Sequence, residues 1–300
     1  MVALIAGPTA SGKTALALRL AQSGNFVIIN ADSAQVYADL PILSAQPTAE
    51  EQASVPHHLF GYLDSVTPCS AARWAGDAKR AIAQAHATGA TPILVGGSGL
   101  YIRTLLEGIA PIPEVDPELR AKIRAMPVEN AYKALQQYDA PIAATLAPTD
   151  ISRNTRALEV IQSTGRSIMV WRATKTGGIA ADVMLRPLLL LPPRDWLYDR
   201  CDARFELMMD RGAVEEVKAL LARNLPHDAP VMRAIGVPEI SAYLNGTIHR
   251  QEAISRGQTA TRQYAKRQFT WFRNQAPPEW PRVVSAINDS NIDDFVIKLH

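Results

Sequence analysis

Residues Gly7-Pro8-Thr9-Ala10-Ser11-Gly12-Lys13-Thr14 fit the pattern G-x-x-x-x-G-K-[ST], whose chemistry is phosphate binding. Gly7 and Gly12 leave the backbone free to wrap an anion. Successive N–H groups and a helix N-terminus point at that anion, Lys13 adds a positive charge, and the Thr14 hydroxyl can hold Mg²⁺. The loop does not say which phosphate it takes. ATP and GTP loops usually draw an acid from a neighbouring strand end. Here the strand that ends in Gly96-Gly97 supplies none, and the carboxylate on offer is Asp32, at the end of a different strand. Asp32 can be a metal ligand, a general base, or the N-cap of the next helix. Residues 262–273 form another group, with Arg262, Lys266, Arg267 and Arg273 and no acid. Arg262, Lys266 and Arg273 share a helical face suited to RNA phosphates, while the interleaved Tyr264, Phe269, Trp271 and Phe272 read mainly as packing. His57-His58 lacks a third ligand at useful spacing and reads as a structural pair rather than a metal site.

The elements that must position these groups are legible from periodicity. Val2–Ala6 and Phe26–Asn30 read as short buried strands, and residues 91–95 as a third, with helices expected over 13–20 and 74–88. That alternation predicts an α/β fold: a P-loop NTPase-like parallel sheet flanked by helices. After the prolines at 111, 113 and 117 the texture changes to helical patches without a strand, until strand character returns after residue 180. The expected organisation is a discontinuous catalytic core of residues 1–112 and 180–300, with an inserted α-helical lobe over 113–179. Residues 195–223 read as one long helix with a break near Gly212, 248–273 as another, and the chain from 276 as a proline-bearing, mildly acidic tail.

Composition narrows the classes. With 47% hydrophobic and 20% charged residues the 300-residue chain can build a core, which excludes a disordered or fibrous protein. A net charge of +2 means that any polyanion must be met by local clusters of basic residues. The two cysteines, Cys69 and Cys201, have no zinc spacing and read as reduced thiols. Val2–Ala6 is too short for a signal-peptide core, and the apolar run at 188–191 is far short of a membrane span. The expectation is a cytoplasmic monomer with no membrane association.

Further along, an ordered set of motifs resembles the tRNA dimethylallyltransferase (isopentenyltransferase) family. Asp32-Ser33-Ala34-Gln35-Val36-Tyr37 resembles D-S-x-Q-x-Y. Pro56-His57-His58-Leu59 is similar to P-H-H-L, and Leu94-Val95-Gly96-Gly97-Ser98-Gly99-Leu100-Tyr101 to L-V-G-G-T-G-L-Y. Arg153 and Arg156-Ala157-Leu158-Glu159-Val160 resemble R-x-x-R-A-L-E-V, and Arg233-Ala234-Ile235-Gly236 resembles R-x-x-G-Y. The stretch from Arg262 to Arg273 resembles R-Q-x-A-K-R-Q-x-T-W-F-R. The resemblance spans Gly7 to Arg273. It implies transfer of a dimethylallyl group from dimethylallyl diphosphate to N6 of adenosine 37 in the tRNA anticodon loop, with Mg²⁺.

On that resemblance Asp32 is the base that accepts the N6 proton. Lys13, the loop amides, Mg²⁺ and Arg204 stabilise the leaving diphosphate, with Arg200, one turn earlier, as the alternative to Arg204. The acceptor base leaves the RNA stack and is held by Asp32, Ser33, Ala34 and Gln35. Ser98 keeps the hydroxyl of the family's threonine. Gln35 can equally be an ordinary loop amide, and Ser98 a helix N-cap. Arg120, the stretch Ser152, Arg153, Asn154, Thr155 and Arg156, and the group Arg262, Lys266 and Arg267 match tRNA-contacting positions. Arg156 can instead pair with Glu159 three residues on.

The chain departs from the family at Leu43 (a glycine there) and Gln46 (a lysine). It departs again at Val237-Pro238, where the proline lacks a backbone donor. Other readings are a small-molecule kinase, carried by the phosphate loop alone, and a non-catalytic RNA-binding protein, which the intact Lys13, Thr14 and Asp32 oppose. Prenyl transfer to free AMP is a variant of the first reading. The helical insert and the basic clusters favour a large RNA acceptor.

Overall fold

A computed structural model describes residues 1–299. The chain divides into two compact units, Met1–Leu105 together with the chain from Ala180 onward, and Leu106–Ile179. The first unit is built on a six-stranded sheet of order β3-β2-β4-β1-β7-β8. Its strands are β1 (Val2–Ala6), β2 (Phe26–Asn30), β3 (His57–His58), β4 (Thr91–Gly96), β7 (Leu185–Leu190) and β8 (Arg282–Val283), and every neighbouring pair is parallel. The remaining strands, β5 (Gly108–Ile109) and β6 (Thr176–Gly177), pair antiparallel in the second unit. All residues of β1 and β2 are buried, as central parallel strands covered on both faces require.

The crossovers between parallel strands carry the helices. Helix α1 (Lys13–Ala21) follows the phosphate loop and α2 (Ala49–Ser54) precedes β3, opened by a Thr48–Glu51 capping box. Ser70 caps α3 (Ala71–Ala87), which buries Trp74, Ala78, Ile82 and Ala85 at helical spacing. The indole N–H of Trp74 donates to the Asn30 carbonyl at 2.9 Å, fixing the C-terminal end of β2. Helix α4 (Gly99–Glu107) leaves β4 through Gly96-Gly97. A Cβ on Gly96 would lie 2.1 Å from the Ala31 backbone, so only glycine lets these two strand ends approach.

The second unit holds α5 (Pro117–Arg124), α6 (Val128–Tyr138), α7 (Ala140–Ala143), α8 (Ile151–Thr164) and α9 (Ile168–Ala173) around its own apolar cluster, which includes Ile123, Leu135, Leu158 and Ile168. It begins at Leu106 rather than residue 113. The physical reason is the β5–β6 pairing, which ties Gly108-Ile109 to Thr176-Gly177 and takes residues 106–112 out of the core.

The chain then returns through α10 (Arg194–Asp210), α11 (Ala213–Ala222), α12 (Val237–Leu244), α13 (Arg250–Gln275) and α14 (Ile292–Ile297). The break expected near Gly212 in the helix over 195–223 is there: α10 ends at Asp210, and Gly212, at φ 110, opens α11. The segment from 276 is no tail. It supplies β8 and α14, and Val283, Ile287, Ile292 and Phe295 join the core cluster that contains Leu16 and Leu20 of α1.

Candidate active site

The phosphate loop joins β1 to α1. A Cβ at Gly7 would lie 2.4 Å from the Leu190 carbonyl oxygen, so the loop leaves the sheet where only glycine fits. Gly12, at φ 95, opens α1 without a side-chain cap, and the first turn carries no acid. The orphan N–H groups of that turn are therefore left to an anion. The Lys13 ammonium donates to the Pro8 carbonyl at 2.7 Å. Burial pulls its pKa down to about 8, against the opposing pull of Asp32's charge; Arg204 lowers it further. Two arginines of α10 reach the loop: Arg204 donates to the Thr9 hydroxyl at 3.5 Å, and Arg200 to the Ala10 carbonyl at 3.1 Å. Both alternatives for the leaving-group arginine thus stand at the phosphate loop. Burial lowers the Arg204 pKa and pushes the neighbouring Cys201 thiol up to about 11, so that cysteine stays a thiol.

Asp32 lies just past β2, with its backbone held by Asn30. The Asn30 amide oxygen accepts from the Asp32 N–H at 2.8 Å, and its nitrogen donates to the Asp32 and Leu59 carbonyls. The Asp32 carboxylate accepts the Ala34 N–H at 3.0 Å, so it caps the following turn as well as facing the site. The Ser98 carbonyl accepts from Ile102 at the start of α4, but its hydroxyl is not spent on that helix. It accepts the Ser33 N–H at 2.8 Å and donates to the Ser33 hydroxyl at 3.0 Å. The Tyr264 phenol bonds to Ser98 and Ser33, and Asp32's charge together with burial raises its pKa.

One cavity of about 1440 Å³ joins the phosphate loop to the Asp32 turn. Its lining includes Thr9–Thr14, Asp32–Gln35, Arg204, Arg233, Tyr264 and Arg267. Phosphate site and carboxylate therefore open into the same space. Gln35 behaves as the loop amide: its nitrogen donates to the Ser44 and Ala45 carbonyls at 3.0 and 2.7 Å, which leaves only its oxygen for a base edge. Gln46 is also an internal amide, donating to the Tyr37 carbonyl at 2.8 Å. Pro238 stands in the first turn of α12, where a backbone donor has no intrahelical partner, so the proline costs no hydrogen bond.

Reading by motif missed Asn30, Tyr264 and above all Gln268. The Gln268 side chain, buried in α13, accepts the Thr9 N–H at 2.7 Å and donates to the Gly97 carbonyl at 3.0 Å. It ties the phosphate loop to the end of β4. The signal was a polar residue on the face of α13 that carries Ala265 and Phe272, both buried. The aromatics do pack: Phe272 is buried and Trp271 lies where any Cβ on Gly99 would have to go. Of the basic residues of α13, Arg267 lines the cavity and lies over the Tyr264 ring, Lys266 is exposed, and Arg262 is paired with Asp202 at 2.5 Å.

In the second unit the expected RNA-facing residues divide. Ser152 and Arg153 are exposed, Arg153 pairing with Asp150 at 3.3 Å. Arg156 pairs with Glu159 at 3.2 Å, and Arg120 and Arg124 approach the same buried carboxylate at 3.9 and 2.9 Å. Asn154 and Thr155 are corrections. Both are buried: the Asn154 amide donates to the Ala147 and Pro148 carbonyls, and the Thr155 hydroxyl to the Ile151 carbonyl. They sit on the inward face of α8 and offer no side chain to a partner. His57 is held through Nδ1 to the Val55 carbonyl at 2.7 Å, as a structural histidine would be.

A phosphate loop after β1, feeding a parallel sheet with a carboxylate at the end of β2, defines a P-loop NTPase-like α/β protein. The family model described as IPP transferase matches residues 35–275. A tRNA dimethylallyltransferase of Sphingopyxis alaskensis is 59% identical over 299 residues, covering 99% of this chain and 98% of that one. Among solved structures, the tRNA isopentenylpyrophosphate transferase of Bacillus halodurans superposes with a TM-score of 0.70 at 33% identity, over 99% of this chain and 96% of that one. A eukaryotic dimethylallyltransferase acting on tRNA gives 0.83 at 29% identity, over 97% and 75%. The chain belongs to the IPP transferase family.

Proposed function

We propose that this chain is a prenyltransferase that moves the dimethylallyl group of dimethylallyl diphosphate to N6 of adenosine 37 in the tRNA anticodon loop. The observation that carries the proposal is the single cavity in which a phosphate loop faces a carboxylate backed by hydroxyls. In it Thr9–Thr14, Lys13 and Arg204 hold the diphosphate, with Arg200 beside them. Asp32 and Ser98 face the acceptor amine. The C–O bond to diphosphate breaks as the C–N bond forms, Asp32 takes the proton from N6, and diphosphate leaves with its charge met by Lys13, Arg204 and the loop amides. A kinase reading finds no carboxylate at the end of β4 and leaves the Ser33–Ser98 hydroxyl pair next to Asp32 without a role.

Mg²⁺ suits the donor set. The half-buried Thr14 lines the cavity, and among the described residues no cluster of His, Cys, Asp or Glu could hold a metal alone. One protein hydroxyl plus the donor's own phosphate oxygens is the kind of coordination Mg²⁺ favours. When bound it neutralises charge on the departing diphosphate. The acceptor is tRNA: Ser33, Ala34 and the Gln35 oxygen hold the displaced base, Arg267 stands at the cavity, and Lys266 and Arg262 contact backbone. In the second unit Arg120, Ser152, Arg153 and Arg156 play that part. No helix among the described residues is long and apolar enough to cross a membrane.

Labelled dimethylallyl diphosphate with Mg²⁺ and unmodified tRNA, beside a parallel reaction with AMP, tests the proposal. Label at adenosine 37 is the expected result. Label in AMP alone assigns a free-nucleotide acceptor, and label in neither removes the activity.

A further inference from the structure

Residues 41–47 make one wall of the cavity, and this is where the sequence departs from the family at Leu43 and Gln46. The segment has little regular structure of its own, and Ala45 sits at φ 55, a conformation that an alanine adopts only when its surroundings impose it. Something must therefore hold it. Glu216, half-buried on α11, does so from a distant part of the sequence. Its two carboxylate oxygens accept the consecutive N–H groups of Ile42 and Leu43, at 2.6 and 3.0 Å. The side chains of the same two residues sit over glycines: a Cβ on Gly212 would lie 3.1 Å from Ile42, and one on Gly236 2.7 Å from Leu43. The segment is thus seated on the starts of α11 and α12 and clamped there by one carboxylate.

Apart from the Gln52 amide of α2, which donates to the Pro47 carbonyl at 2.9 Å, its other side-chain attachments outside the segment run to one side of the site. Gln35 donates to the Ser44 and Ala45 carbonyls, and Gln46 donates to the Tyr37 carbonyl. Gln35 and Tyr37 belong to the segment just after Asp32. Among the described residues no hydrogen bond joins residues 41–47 to the phosphate loop.

We infer that Glu216 is a positioning residue for the acceptor side of the cavity, holding residues 41–47 so that Gln35 and the turn after Asp32 keep the shape that receives the base. Resting on the proposed prenyl transfer to tRNA, this adds a residue that never touches substrate but sets acceptor affinity without setting donor affinity. Glu216→Gln keeps the volume and one acceptor but turns an NH₂ group toward an N–H. Loss of such a charge-assisted pairing corresponds to about a tenfold weakening or more.

The test has two readouts. Amide exchange in the unliganded full chain should quicken at Ile42 and Leu43 in Glu216→Gln. Steady-state transfer should show KM for an anticodon stem-loop raised about tenfold, with KM for dimethylallyl diphosphate unchanged. Glu215→Gln, an exposed neighbour on the same helix, should change neither. Unchanged exchange overturns the inference, as do donor and acceptor KM rising together, since a merely structural role would disturb both. If the wild-type chain transfers nothing, the proposed function falls, while the exchange experiment still judges whether Glu216 holds this segment.

Discussion

Replacing Gln268 by leucine, close to it in volume, should loosen the phosphate loop without emptying the core. The side chain is 5% exposed, so water cannot substitute for it. Two backbone groups lose their partner at once: the Thr9 N–H, now bonded at 2.7 Å, and the Gly97 carbonyl, at 3.0 Å. At about 1–3 kcal/mol for a buried group left unpaired, and less at Thr9, which borders the cavity, the loss is about 2–4 kcal/mol. It falls unevenly, because Thr9 lies in the phosphate loop, whereas Gly97 directly follows Gly96, which is held in the β1–β4 register. Urea unfolding should report the stability change, and calorimetric titration with dimethylallyl diphosphate a donor affinity weakened by about tenfold. Gln268→Glu should be worse for the donor, since it sets a carboxylate oxygen against the Gly97 carbonyl and adds negative charge behind the loop. A leucine variant with wild-type stability and wild-type donor affinity would refute the claim that this amide ties the two strand ends together.

Lys13 gives the donor site a pH dependence. Burial lowers its pKa to about 8, so the free enzyme holds the cation below that pH and loses it above; a diphosphate requires the cation. The kcat/KM for the donor should therefore fall above about pH 8, and the fall should vanish in Lys13→Arg. The folding consequence has the opposite sense: the cost of burying the Lys13 cation is present below about pH 8 and is relieved between there and the ordinary lysine value of 10.5. In the second unit, Glu159→Gln removes the buried carboxylate that faces Arg120, Arg124 and Arg156. Because those guanidinium groups are partly exposed, the loss should be about 1–3 kcal/mol rather than the ~3–5 of a fully buried pair. Faster proteolysis or amide exchange in residues 106–179 would report it.

The parts of this molecule that could be read in advance are those whose pattern is local. An apolar strand, a glycine loop and a helix in succession fix β1 to α1, and the strand ending at Asp32 follows the same rule. What stayed hidden depends on contacts between distant residues. The segment from 276 carries prolines and acids that look like a tail, yet its Val283, Ile292 and Phe295 are spaced to complete the core beside α1. Asn154 and Thr155 belong to a motif that looks RNA-facing, but a helix shows only one side outward, and in α8 that side carries Ser152 and Arg153. Gln268 and Glu216 are ordinary polar residues in the sequence. Only the fold reveals that the first meets a loop 259 positions away.

In the proposed reaction Asp32 has the central role: from its place just past β2 it takes the acceptor proton, while the phosphate loop holds the donor independently. Single-turnover transfer by Asp32→Asn, with donor and stem-loop affinities measured on the same variant, addresses this most directly. The chemical step should slow by about 10²–10⁴, while donor binding stays within a small factor of wild type. Transfer at the wild-type rate by this variant would contradict the assignment, and would leave Asp32 as no more than the cap of its turn.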